Sequence, residues 1–238
     1  MRATKKAAVL ALAMGLAVTG NMTALAAAEA PAVKTTGGVD SNGKADSTLT
    51  GTVNITSIKV EVPIAATFDI DPNIAVTAGA EVKTDTVTPA NTTNQITGPT
   101  NYTIKNKSKA PLVVSITGIT TKDKDGGDTA DAPTLVNKMN SLTGKNVLFA
   151  VRANGETISY PEADGDASKK WMMKDTISPA APYYVKGTTA ADNVLLADDG
   201  AAGGTDELTM TLYGATGDGW KNGNKFQIIP TFTIALQE

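Results

Sequence analysis

The chain of 238 residues contains no cysteine and no histidine, only 5% aromatic residues, and no block of basic residues. Each absence excludes something. Without imidazole or thiol there is no Ser-His-Asp or Cys-His catalysis, no zinc site of the usual kind and no haem ligation. What chemistry remains belongs to carboxylates, Lys, Tyr and oxygen-ligated cations. A net charge of −3 with no basic run offers no electrostatic footprint for nucleic acid or anionic lipid. Only one long apolar run occurs, at the amino terminus, so no integral membrane span is expected after it. Lack of disulfides is compatible with export, because a domain of this size builds a core without them.

The one apolar run has a function of its own. Arg2, Lys5 and Lys6 precede the stretch Ala7 to Val18, and Ala24-Leu25-Ala26 follows, the tripartite pattern of a secretory signal peptide cleaved after Ala26. The expected organisation is therefore a signal peptide over 1–26, a flexible leader over 27–47 and one domain over 48–238. The leader is rich in Ala, Gly, Thr, Asp and Lys and holds scarcely an apolar cluster. No lipobox cysteine, LPxTG-like sorting motif or hydrophobic tail follows, so the expected location is extracellular or non-covalently cell-surface associated.

From residue 48 the chain reads as short β-rich runs separated by Gly, Pro, Asn and Asp. That spacing predicts an all-β fold, an antiparallel β-sandwich of Ig-like or Greek-key type with one or two short helices. "TVNITSIKVEVP" alternates as Val53 and Ile55, then changes phase to Ile58, Val60 and Val62, which places a β-bulge near Thr56-Ser57. Phe68 and Ile70 point inward before an Asp-Pro-Asn turn. Tyr102 and Ile104 are expected core. "PLVVSITGI" has Leu112, Val114 and Ile116 on one face and Val113 on the other, as in a central strand covered on both sides. Val147, Phe149 and Val151 alternate ahead of Asn154-Gly155, which predicts a hairpin returning through Thr157 to Tyr160. Leu135, Met139 and Leu142, with Pro133 before and Gly144 after, predict a short helix, and "SKKWMMKD" a further helical turn. The last run, Phe226 to Leu236, keeps one phase. Its apolar character suits the middle of a sheet, while Pro230 marks a bulge or an edge position.

Four groups of residues are candidate sites. Asp123, Asp125 and Asp128, with Asp131 beyond, could ligate calcium, yet Gly127 falls at the fifth and Asp128 at the sixth loop position, out of the EF-hand register. A solvated turn, whose Asp and Gly residues serve conformation, is the preferred reading. Glu156, Glu162 and Glu207 are the carboxylates a glycosidase would need, with nothing to set two of them face to face. Trp171, Tyr183, Tyr184 and Trp220 could stack on sugar rings, although a lone Trp in a β-protein is more often core. Lys105, Lys107 and Lys109 are expected to protect an exposed strand edge from pairing. No cofactor is expected.

The segments "VEVPIAATFDIDPN", "YTIKNKSKAPLVVSI" and "FQIIPTFTIAL" resemble a class of secreted β-sandwich surface proteins of Gram-positive-type bacteria. The resemblance spans most of the chain after the leader and rests on turns and strands, so it carries over no functional residue. It implies a cell-surface or extracellular-matrix component. Paired Trp-x-Leu motifs are missing, and the peptidoglycan-binding family of that name is not assigned. The function expected is structural and non-enzymatic: association through strand edges into a fibre or surface layer, with itself or with other surface proteins, and Val53, Ile55, Ile58, Val60 and Val62 as the assembly strand. A glycan- or host-surface-binding adhesin module is the alternative.

Overall fold

The computed structural model describes residues 57–84, 92–123, 132–198 and 204–237. Ten strands follow in chain order: β1 (Val60–Glu61), β2 (Asp69–Ile70), β3 (Ile96–Thr97), β4 (Tyr102–Asn106), β5 (Leu112–Asp123), β6 (Thr134–Leu135), β7 (Asn146–Ala153), β8 (Val194–Leu195), β9 (Glu207–Thr216) and β10 (Phe226–Leu236). The fold is all-β. Among the described residues the only helical elements named are 3₁₀ turns, at Met139–Ser141 and Ala190–Asn193.

The strands form a five-stranded sheet in the order β1-β4-β9-β7-β6, a three-stranded sheet β10-β5-β8 and a small pair β2-β3. Pairing is antiparallel except between β6 and β7, which run parallel, so the expected purely antiparallel arrangement does not hold there. One core cluster takes Ile104 of β4, Leu208, Met210 and Leu212 of β9, Val147, Phe149 and Val151 of β7, and Val114 and Ile116 of β5. Leu112, Val114 and Ile116 are wholly removed from water, worth about 2 kcal/mol each on area alone. Central placement of β5 is as read from the sequence, with Val113 half-buried on its other face.

A second cluster lies on the opposite face of the five-stranded sheet. Leu148 and Ala150 alternate with the residues of the first core along β7, and Tyr213 and Ala215 do so along β9. The long connections supply the cover: Val82, Val136, Ile158, Tyr160 and Trp171. This second layer overturns two expectations. Residues 135–142 make no α-helix, only the 3₁₀ turn at Met139–Ser141: Leu135 belongs to the first cluster and Val136 to the second, whereas Met139 and Leu142 pack only against the second. Apolar residues at helical spacing therefore serve two different cores, and β6 plus a 3₁₀ turn does the work. "SKKWMMKD" makes no helical turn: its middle is irregular chain, with Met172 N donating to Phe149 O at 2.9 Å.

The hairpin expected across Asn154-Gly155 does not form. Gly155 does take a left-handed turn, with φ 84°. One edge of β7 is taken by β9 over Val147–Ala153, and on the other, past the two residues paired with β6, Met172 N donates to Phe149 O at 2.9 Å and Ala153 N to Val185 O at 2.7 Å, so no edge remains for a returning strand. The chain instead pairs with residues 80–82: Val82 N donates to Ile158 O at 2.8 Å, and Tyr160 N to Ala80 O at 2.8 Å. The Asp-Pro-Asn turn is as expected, with Asn73 N donating to Asp71 Oδ1 at 2.9 Å.

Candidate functional site

The terminal strand decides where a partner has access. The sequence suited β10 to the middle of a sheet, with Pro230 marking a bulge or an edge position; among the described residues it lies at an edge, paired with β5 alone. The pairing register shifts between Thr231 and Phe232, where Thr117 of β5 is passed over. On either side of that shift Phe226, Ile228, Phe232 and Ile234 face the first core, and all four are only half-buried. Pro230 sits within this edge strand, one of the positions where its missing N–H is tolerated. No charged side chain occurs between Phe226 and Leu236.

The two larger sheets are joined on one side and apart on the other. Tyr183 and Ile116 exchange two backbone hydrogen bonds, 2.8 and 2.9 Å, while Ala153 N donates to Val185 O at 2.7 Å. The strap Tyr183–Val185 thus links β5 to β7. Leu196 N donates to Thr205 O at 3.0 Å, tying the end of β8 to the start of β9. β1 flanks β4 on the side away from β9, and β10 flanks β5 on the side away from β8. Among the described residues no ladder joins β10 to β1, and the side of the fold between them is the seam. Its walls carry Val60, Val62, Phe232 and Ile234, all partly exposed. Across it Tyr102 and Phe232 meet with ring centroids 6.4 Å apart.

The assembly strand read from the sequence is divided by this geometry. Val60 lies in β1 and pairs with Asn106 of β4 within the same chain. Val62 packs against the core, and Ile58 is 40% exposed. Val53 and Ile55 lie outside the described residues.

The other candidate groups are not assembled into sites. Asp123 ends β5, and Asp125, Asp128 and Asp131 fall outside the described residues. Among the described residues no group of three or more metal-ligating side chains comes together. Glu156 binds Arg152, Glu207 binds Lys105, and Glu162 lies against Gly79. The aromatic platform is contradicted. Trp171 is buried and stacked on Tyr160 at 5.5 Å, Tyr183 is core, and Trp220 packs on Phe226 at 4.8 Å. Tyr184 alone of the four is half-buried and away from both clusters. Nor do the three lysines guard an edge. β4 is an interior strand, Lys105 Nζ lies 2.6 Å from Glu207, and Lys107 and Lys109 lie 3.8 and 3.6 Å from Asp198.

Sequence reasoning missed one feature of chemical interest. Arg152 is 1% exposed, beneath a cavity of about 640 Å³ also lined by Lys170, Tyr183 and Tyr184. Its Nη1 donates to Tyr184 O at 2.6 Å and its Nη2 to Gly187 O at 3.2 Å and Glu156 Oε2 at 2.7 Å. Those bonds hold both terminal nitrogens on the protein's own strap and on Glu156, so the guanidinium fastens the Tyr183–Gly187 segment, while its buried Nε has no hydrogen-bond partner. A single cation within the apolar run "VLFAVRA" was the available clue. No family model, curated protein or solved structure matches this chain.

Proposed function

We propose that this is an exported, non-enzymatic structural protein of the cell surface or extracellular space, built as an antiparallel sandwich of Ig-like type, that associates through strand edges. Its partners are further copies of itself or other surface proteins. The supporting observation is β10: a long edge strand without a charge, whose inward row is only half-covered. Exposed edges of this kind present unpaired N–H and C=O groups to any incoming strand, and proteins that stay monomeric blunt them with charges. Pro230 and the register shift beside it blunt the middle of β10, which leaves Thr231–Leu236 as the regular stretch whose outer edge no other described strand takes. A head-to-tail contact of this type does not close and generates a fibre. Negative-stain microscopy of the chain from Ala27 onward tests the reading. Filaments or sheets are expected, and particles that stay monomeric at every concentration would sink it.

A further inference from the structure

We infer that the cavity over Arg152 is a binding site for an acidic saccharide, sugar rings carrying carboxylates, received by Lys169 and Lys170 with Tyr184 as the surface for a ring. The inference goes beyond the edge-association reading and is separable from it, because none of the residues lining the cavity belongs to β1 or β10.

Charge is the first observation. The chain as a whole is acidic, at −3, yet the charged residues lining this cavity are Arg152, Lys169 and Lys170 against Asp166 alone. Asp166 is committed to its own turn: one oxygen accepts Ser168 N at 3.0 Å and the other Trp171 N at 2.8 Å. Arg152 is balanced by Glu156. The two lysines are not balanced. Lys169 makes no side-chain hydrogen bond or ion pair among the described residues, and Lys170 Nζ donates only to Thr157 O, at 2.9 Å. An ammonium has three hydrogens to give, so two neighbouring cations are left to an anion from outside.

Two independent features mark the same place. The Nε–H of Arg152, in a side chain 1% exposed, has no acceptor. Buried donors are rarely left so, and a ligand oxygen supplies the acceptor directly or through one bridging water. Lys169 itself is the one non-glycine residue with a left-handed backbone among the described residues, at φ 53°. Such conformations persist where the surroundings impose them, and they gather at ligand sites.

Size and lining choose among anions. About 640 Å³ lies within the range of small-molecule sites and far exceeds a lone phosphate. Both terminal nitrogens of Arg152 are engaged, so the bidentate fork that suits phosphate is not on offer. A fatty carboxylate needs an apolar channel, whereas Asn137, Ser168, Thr176 and Thr188 bring amide and hydroxyl groups to this wall. Tyr184 lines the cavity, is half-buried and belongs to neither core cluster, so its ring is not engaged in the protein's own packing. Point charges, hydroxyls and one aromatic surface together match a ring that bears both a carboxylate and hydroxyls.

Titration calorimetry of the chain from Ala27 onward, with trigalacturonate and with neutral galactotriose, tests the site. Trigalacturonate is expected to bind at least tenfold more tightly than galactotriose, and more weakly as salt rises. Lys169→Gly removes the ammonium while suiting the left-handed backbone. It should weaken trigalacturonate at least tenfold with a thermal midpoint no lower than the parent's. Tyr184→Leu, which keeps the backbone carbonyl that holds Arg152, should weaken it at least fivefold. No binding of trigalacturonate, equal binding of the neutral sugar, or parental affinity in both variants would overturn the site. Filaments without binding leave the β10 reading standing and end this one; binding by a chain that stays monomeric does the reverse.

Discussion

Arg152 Nη2 donates to Glu156 Oε2 at 2.7 Å across the Asn154-Gly155 turn, and the same carboxylate oxygen accepts the Gly187 N–H at 3.1 Å. One carboxylate thus balances a buried cation and pins the strap that joins the two sheets. Removing one partner of such a pair leaves the other charge uncompensated. Glu156→Ala is expected to lose about 2–3 kcal/mol in denaturant unfolding, the lower end of the range because Glu156 keeps partial access to water. Arg152→Met combined with Glu156→Ala should lose less than the two single changes added together. Strict additivity would mean that the pair is not coupled.

The same carboxylate gives stability an acid limb. Burial pushes the Glu156 carboxyl up, but the hydrogen bonds from Arg152 and Gly187 and the charge of Arg152 together hold it below its ordinary value. A carboxyl depressed by folding contributes stability above the ordinary carboxylate range, and that contribution is lost as pH falls through the lowered folded value. Unfolding midpoints measured from neutral to strongly acid pH should fall less steeply in Glu156→Gln than in the parent chain.

An alkaline limb is expected from two phenols. Burial pushes Tyr183 up to about 12, against the opposing influence of Arg152, and also raises Tyr160, stacked on Trp171. A raised phenol favours the folded state below the ordinary value of 10.0, and the advantage disappears as pH climbs through the folded value. Stability should therefore decline between about pH 10 and pH 12. Tyr160→Phe, which gives up a hydrogen bond to Thr93 O, should be less stable at neutral pH yet lose less on going alkaline. An unchanged slope in that variant would argue against Tyr160 as a source.

Asp206 is 1% exposed, and neither carboxylate oxygen has a hydrogen-bond partner. Its backbone carbonyl holds Asn106 N at 2.8 Å, so the main chain here is well tied. A buried polar group without a partner costs free energy that a neutral side chain of the same shape reduces. Asp206→Asn is expected to raise stability by about 1 kcal/mol in equilibrium unfolding. A loss of stability would show that the charge is balanced in the folded protein.

Ala235 is exposed on β10. A lysine there would set a charge on an uncharged edge, the device by which edge strands avoid pairing. Ala235→Lys should leave the thermal midpoint nearly unchanged and weaken self-association at least tenfold by sedimentation. Association at parental strength would move the contact away from β10.

Local pattern and tertiary context contributed differently across this molecule. Strand residues such as Tyr102, Ile104, Leu112, Val114 and Ile116 were legible because a two-residue alternation reports one buried face directly. β10 was legible as a strand but not as an edge. Half-burial and full burial leave the same apolar row in a sequence, and only the neighbours show which applies. The helix expected over 135–142 failed for a related reason: spacing alone cannot tell one core from two. Of the candidate site, the apolar rows of β1 and β10 were readable, whereas the phase change at Thr56-Ser57 falls at the limit of the described residues. The seam was not, because it lies between β1 and β10, at opposite ends of the described chain.

By itself the amino-acid sequence determined that no imidazole or thiol chemistry is available, that strands dominate, and which residues of each strand are apolar. These are properties of single side chains and near neighbours. Only the tertiary structure decided that β7 has no edge to spare for a hairpin, that Arg152 is buried against its own strap, and that β10 lies outermost among the described strands of its sheet. Hydrogen-bonding edges are filled by whichever strand arrives, and which one arrives depends on the whole chain.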